Sequence, residues 1–274
     1  MNKHGITTAA ALTALAAVSA WGAWVFEGEW GGRGPAPGRF RDPFGVALAA
    51  NGNVYVADVV NQRIQYFTPT GQWLGMWGTS GSGPGQFNSP EGVAVARNGN
   101  AYVVDKLNFR LQYFTSAGSF LGSWGSPGTG NGQFNLASTV DVAPNGNVYV
   151  ADTRNDRIQY FTVAGSFLGK WSSNVSGPYG LAVGSDGRVF VTEYWNHRVR
   201  YYTSTGSLLG GWGTLGNLPG EFFHPTGVEP RGDGWRVYVA DSDNDRIQYF
   251  RWSDPAVEPT SLGRVKALFL RRGL

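Results

Sequence analysis

The sequence predicts an all-β protein assembled from five copies of one four-stranded unit, and three observations carry that expectation. A stretch at residues 146–161 recurs at 52–67, at 99–114, at 187–202 with Arg and Tyr substitutions, and at 235–250. The acid in its turn falls at Asp58, Asp105, Asp152, Glu193 and Asp241, at spacings of 47, 47, 41 and 48 residues. Self-similarity at this period marks a repeat architecture. The composition agrees, since 41 Gly, 14% aromatic and 15% charged residues suit short strands joined by tight turns.

Each unit reads in the same order. An inner strand comes first, as in Gly45-Val-Ala-Leu48, Gly92-Val-Ala-Val95 and Gly180-Leu-Ala-Val183. Asn51-Gly52, Asn98-Gly99, Asn145-Gly146 and Asp186-Gly187 follow, and such pairs are the strongest short hairpin signal. A second strand, Val54-Tyr-Val-Ala57 and its copies, leads through Asp-x-x-Asn-x-Arg into a third, Arg63-Ile-Gln-Tyr-Phe67. Gly71, Gly118, Gly165 and Gly206 then turn the chain into a fourth strand ending at Trp77, Trp124, Trp171 and Trp212. Four antiparallel strands apolar on both faces must be covered on both sides, and radial repetition achieves this as a β-propeller.

The ends set the blade number. The fifth repeat stops at Phe250 without a fourth strand, whereas Phe26-Glu-Gly-Glu-Trp-Gly31 matches Phe120-Leu-Gly-Ser-Trp-Gly125. The N-terminal strand is therefore expected to close the last of five blades, leaving no open edge. The expected blades are 43–77, 90–124, 137–171, 178–212 and 225–250 plus 24–31, within a propeller domain at 21–250.

Gly-x-x-Tyr-Val-Ala-Asp-x-x-Asn-x-Arg-Ile-Gln-Tyr-Phe, preceded by Pro-x-Gly-Val-Ala, resembles the NHL repeat, here of a secreted bacterial type. The resemblance covers about residues 24–250 and implies a propeller that serves as a binding platform for protein, RNA or glycan. Some members of that family are lyases or lactonases with a metal in the central funnel, and well-known ones have six blades. Fold alone does not choose between these functions.

Residues 1–20 read as a secretory signal peptide, with Lys3, an apolar run from Gly5 to Val18, and a small-x-small site ending at Ala20. The expected location is outside the cell, in the periplasm or in the cell envelope, with no transmembrane span after cleavage. Residues 251–274 read as a linker and a short basic amphipathic helix, with five basic and two acidic residues. The body between is nearly neutral, so no nucleic-acid partner is expected. The chain has no Cys, which excludes disulfides, a thiol nucleophile and a Cys-based zinc site. A monomer binding protein, peptide or saccharide is the expected form.

Residues shared by all repeats are expected to be scaffold, so function is sought where the copies differ. Blade 4 departs most, with Glu193 for Asp, the pair Tyr194-Trp195, His197, Arg200 for Gln, and a leading loop six residues shorter. That deletion should leave a notch beside Tyr179, and the expected ligand-binding residues are Glu91, Arg154, Tyr179, Glu193, Tyr194, Trp195 and His224. Stacking on the aromatics would supply most of the binding. Asp141 and Glu229 replace inner-strand Ala and are the candidates for a channel Ca²⁺, the one cofactor considered. No catalytic residues are assigned. The alternative reading is a lyase or lactonase acting in the central funnel, with His224 as its acid–base group.

Overall fold

The computed structural model describes residues 29–230 and 236–251. Blade 1 is a meander of β1 (Pro43–Leu48), β2 (Val54–Asp58), β3 (Arg63–Phe67) and β4 (Trp73–Trp77). A small parallel pair, β5 (Thr79–Ser80) and β6 (Gln86–Phe87), ties the loop that follows. Blade 2 contains β7 (Pro90–Val95), β8 (Ala101–Asp105), β9 (Arg110–Phe114) and β10 (Phe120–Trp124). Blade 3 contains β11 (Val140–Val142), β12 (Val148–Asp152), β13 (Arg157–Phe161) and β14 (Phe167–Trp171). Blade 4 contains β15 (Pro178–Val183), β16 (Val189–Glu193), β17 (Arg198–Tyr202) and β18 (Leu208–Trp212). Blade 5 has three strands among the described residues, β19 (Pro225–Pro230), β20 (Arg236–Asp241) and β21 (Arg246–Arg251). The architecture is the expected five-bladed, all-β propeller.

The sequence explains the elements. Gly52, Gly99, Gly146 and Gly187 close the first hairpin of their blades at φ between +83° and +90°, a conformation open to Gly. Alternate strand residues then point into the two gaps flanking each blade. Tyr55, Ala57 and Ile64 of blade 1 meet Val93, Val103 and Phe114 of blade 2. Leu111 and Val104 meet Val140 and Val150 in the next gap, Ile158 meets Leu181 and Val191, and Val199 meets Val228 and Val239. Each fully buried side chain of this kind contributes about 1.5–3 kcal/mol. The outer-strand Trp of each blade leans on an aromatic ring of the next, Trp77 on Phe114, Trp124 on Phe161, Trp171 on Tyr202 and Trp212 on Phe250, with centroids 5.3–5.8 Å apart.

The recurring acid, Asp in four blades and Glu193 in blade 4, forms a brace with the recurring Arg inside each unit. In blade 3 the Asp152 carboxylate accepts hydrogen bonds from the Asn135 amide, Asn155 Nδ2, Arg157 Nε and Gln159 Nε2 at 2.6–3.1 Å. Arg157 Nη2 donates in turn to the carbonyls of Gly130 and Gln133. The acid is fully buried in every blade. A buried carboxylate is tolerated because four donors, one of them the Arg157 cation, replace its water. This is the scaffold role expected of the shared residues.

The junction between blades 5 and 1 differs from the other four. Val46 and Leu48 on β1 are 65% and 69% exposed, and Ile247 and Tyr249 on β21 are 65% and 67% exposed, whereas Val93 and Ile64 are buried. Of the expected closing segment, residues 29–31 are described and are not in a strand. Its remainder, the leader expected at 1–20 and the helix expected within 251–274 lie outside the described residues, apart from Arg251 at the end of β21. Among the described residues no helix is long and apolar enough to cross a membrane.

Candidate functional site

The site is built on two sets of backbone positions on one face of the propeller. Asp42, Ser89, Leu136, Gly177 and His224 end the loops that lead into the inner strands, all with φ between +49° and +61°. Gln62, Phe109, Asp156, His197 and Asp245 end the turns between second and third strands, again left-handed. Their side chains lock neighbouring blades together. Gln62 Oε1 accepts the Ser89 amide at 2.7 Å, Asp156 Oδ1 the Gly177 amide at 2.6 Å, and His197 Nδ1 the His224 amide at 3.1 Å.

Four of the seven expected ligand-binding residues come together here. Tyr179 and Tyr194 have ring centroids 5.2 Å apart, and Tyr194 and Trp195 are 4.7 Å apart at 81°. Tyr194 stacks on His224 at 4.3 Å and 5°, and Trp195 meets the same imidazole edge-on at 5.4 Å. The cluster extends to Phe44 on one side, 5.8 Å from Tyr179, and to His197 and Phe223 on the other, 4.7 and 4.6 Å from His224. Trp195 is 62% exposed, Phe44 40% and Phe223 38%. The short loop matters directly, because Trp195 lies over Gly177, where a Cβ would come 2.9 Å from its Cδ1. Arg200 Nη1 and Tyr202 Oη both donate to the Asn174 carbonyl and hold that loop in place.

Hydrogen bonds fix the histidines. His197 Nδ1 accepts an amide proton, so its own proton belongs on Nε2. Burial first, then the neighbouring His224, lowers the His197 pKa, against the pull of Asp243. His224 Nδ1 lies 2.6 Å from Asp243 Oδ2, which assigns the Nδ1 proton to that bond and leaves Nε2 as the acceptor nitrogen of the neutral ring. Tyr194 is raised by burial and by Asp243. Tyr179 is pushed up to about 12, first by burial and then by Glu91, Tyr194 and Asp42. Its carbonyl is anchored by Ser138 Oγ and Thr139 Oγ1 at 2.6 and 2.7 Å.

The other expected residues have different places. Glu91 is buried beside Tyr179, with Oε1 2.7 Å from Lys106 Nζ and Oε2 without a hydrogen-bond partner among the described residues. Burial raises its pKa against the opposing pull of Lys106. Glu193 is fully buried and accepts from Arg198 Nε, Asn196 Nδ2 and the Ser176 amide, so it performs the brace role of Asp in the other blades. Arg154 is exposed on the blade 3 turn, and its side chain takes no part in the ring contacts. On β11 Asp141 accepts the amides of Val142 and Val183, each at 2.7 Å, the second bond crossing from blade 3 to blade 4. Burial raises Asp141 despite those amides, and burial together with Asp141 raises Glu229 to about 7. These two carboxylates supply few of the six to eight oxygens Ca²⁺ takes. Among the described residues no group of three or more His, Cys, Asp or Glu is placed to hold a metal ion.

Phe44, His197, Phe223 and Asp243 belong to the cluster but were absent from the expected binding residues. The signal for His197 and His224 was present, since both fill positions that need left-handed backbone, but a sequence does not show that the two positions meet across blades.

Comparison with known proteins supports the architecture. The NHL repeat family model matches residues 40–67, 134–161 and 176–202. No curated protein matches the chain. The structure is similar to virginiamycin B lyase from Staphylococcus aureus, at 16% identity and a TM-score of 0.56 over 78% of this chain and 71% of that one. A catalytically inactive His-to-Ala variant of that lyase with Quinupristin gives 16% and 0.57, over 82% and 74%. The nidogen/laminin complex gives 16% and 0.59, over 76% and 75%. At such identities the likeness is one of fold. Five radially arranged sheets, each with a buried acid paired to an Arg, make this protein a five-bladed β-propeller in which the NHL repeat is matched at three places.

Proposed function

We propose that the protein is a binding module whose aromatic face takes a peptide or saccharide by ring stacking. The observation that carries this is the unbroken run of ring contacts from Phe44 through Tyr179, Tyr194 and His224 to Phe223, with Trp195 exposed beside the shortened loop. An aromatic pair contributes about 0.5–1.5 kcal/mol beyond its buried area, so several rings on one face support recognition of a flat or ring-shaped group. The nidogen/laminin neighbour is itself a complex between proteins, which is consistent with a platform role for this fold. Screening peptide and glycan arrays and repeating the positives with Trp195→Ala tests the proposal. Loss of binding by tenfold or more with an unchanged unfolding midpoint is expected. Unchanged binding to every ligand found would remove this face as the site.

A second reading has one specific observation behind it. His224, oriented by Asp243, has the arrangement of a general base, in which Nε2 would take a proton from a substrate lying on Tyr194 or Trp195. The similar folds include lyases. Under this reading His224→Ala abolishes turnover of a ligand that it still binds. We also propose that the protein lies outside the cell or in the envelope, because residues 1–20 read as a signal peptide, and cell fractionation tests this.

A further inference from the structure

We infer that the aromatic face selects a peptide bearing a lysine, whose ammonium group is received by the Glu91 carboxylate at the edge of the face. Such a subsite presupposes the binding face proposed above and specifies what that face prefers. One pair of positions, compared across the blades, isolates Glu91. Phe44, Glu91, Ser138, Tyr179 and Thr226 stand at the entry to the five inner strands. Each is matched in chemistry by the residue that opens the turn after the second strand of its own blade. Glu91 forms an ion pair with Lys106, and Thr153 Oγ1 donates to Ser138 Oγ at 2.8 Å. Tyr179 packs on Tyr194 at 5.2 Å, and the Thr226 and Ser242 hydroxyls bond to one another. In blade 1 the two positions hold Phe44 and Val59.

Blade 2 leaves a remainder. Lys106 Nζ donates to Glu91 Oε1 at 2.7 Å, but Oε2 is buried with no hydrogen-bond partner among the described residues, in a residue only 8% exposed. The other buried side-chain atoms in that condition among the described residues are the indole nitrogens of Trp77, Trp124, Trp171 and Trp212. Those recur blade by blade and belong to the scaffold, whereas the entry positions of the other blades hold no acid. Buried polar atoms are nearly always paired, and a carboxylate oxygen is among the costliest to leave bare.

The surroundings specify the missing donor. Burial is the main cause of the raised Glu91 pKa; Lys106 opposes it and Asp42 adds to it, which puts a second carboxylate nearby. Together Asp42 and Glu91 exceed the charge of Lys106, so this corner favours a cation. Rings stand beside it as well. Gly45 lies against the Glu91 carbonyl, which sets the preceding Phe44 at this corner, and Phe44 meets Tyr179 at 5.8 Å. An ammonium group here gains a charge-assisted hydrogen bond and attraction to the ring faces. The Glu91 and Lys106 side chains are 11% and 20% exposed, so the pair is recessed but reachable. A lysine carries its charge on a flexible four-carbon stem and reaches such a depth, whereas the amine of an amino sugar is held against its ring.

Full-length protein is titrated calorimetrically with tetralysine, its Nε-acetylated form, a glucosamine tetramer and the N-acetylglucosamine tetramer. Tetralysine should bind roughly tenfold or more tightly than its acetylated form, as a charged hydrogen bond implies. Glu91→Gln should erase that preference. Lys106→Gln should keep it, because the ligand's cation replaces the one removed. Equal binding of tetralysine and its acetylated form, or no binding of either, overturns the inference. An equal loss in Glu91→Gln and Lys106→Gln would mark the pair as structural and overturn it too, and a preference confined to the sugar amine would overturn the assignment to a peptide. Trp195→Ala separates this subsite from the face that carries it. If Trp195→Ala weakens both lysine probes while Glu91→Gln leaves the preference intact, the stacking face stands and the amine subsite falls. If Glu91→Gln erases the preference and Trp195→Ala changes nothing, the subsite stands and stacking falls.

Discussion

Replacing Asp152 by Ala gives the sharpest test of the brace. The change removes the acceptor of four hydrogen bonds and leaves Arg157, whose side chain is 5% exposed, without its carboxylate. Breaking a buried pair from one side costs about 3–5 kcal/mol, because the remaining charge stays buried and unpaired. In blade 5 the equivalent cation is more accessible, with the Arg246 side chain 30% exposed, so water can replace part of the lost partner. Asp241→Ala should therefore cost roughly half as much. Guanidinium unfolding followed by tryptophan fluorescence and circular dichroism would show a midpoint lower by about 1 M for Asp152→Ala, if the slope is several kcal/mol/M. Replacing Asp152 and Arg157 together by apolar residues should recover much of the loss. The reasoning is refuted if Asp152→Ala is the milder of the two single changes, or if the double variant loses the sum of its singles.

Three further outcomes follow from the geometry. Gly92→Ala forces a Cβ to within 2.8 Å of the Ser138 carbonyl and 2.9 Å of Thr139 Cα, and should cost about 1–3 kcal/mol by overpacking, read from the same unfolding curves. Glu229 is raised to about 7, so the folded protein binds more protons than the unfolded chain between about 4.5 and 7 and loses stability as pH rises through that window; Glu229→Gln should flatten the decline and raise the midpoint at pH 8. Asp241 shifts the other way, since bonds from the Phe223 amide, Asn244, Arg246 and Gln248 outweigh the effect of burial and hold its pKa below the usual value. Its contribution is present above the unfolded value and lost as pH falls through the folded one, so amide exchange in blade 5 should accelerate in acid and do so less in Asp241→Asn.

The fold was legible because its determinants are local and repeated. Asn-Gly turns, alternating apolar strands and the Asp-x-x-Asn-x-Arg turn each act within one unit, and the period of Asp58, Asp105, Asp152, Glu193 and Asp241 reports how the units are arranged. The site was only half legible for the opposite reason. Tyr194 and Trp195 stood out as departures from a pattern, but Phe44, His197, Phe223 and Asp243 acquire their role from neighbours on other blades. Glu193 shows the converse error, for it departs from the pattern in residue type yet keeps the same buried job. Asp141 was expected as a candidate ligand for a channel Ca²⁺, but the sequence did not show the two amides bonded to its carboxylate, one of which depends on how closely β15 approaches β11.

The five left-handed positions at the mouth share nearly one backbone geometry but bear Asp42, Ser89, Leu136, Gly177 and His224. A common frame with interchangeable side chains separates shape from chemistry. If the aromatic face takes a ligand as proposed, its preference can drift by single substitutions at Asp42, Ser89, Leu136 and His224 without disturbing the strands beneath, whereas a side chain at Gly177 would have to displace Trp195. The same property makes the ring suitable for library selection, with diversity confined to positions whose main-chain path is already set.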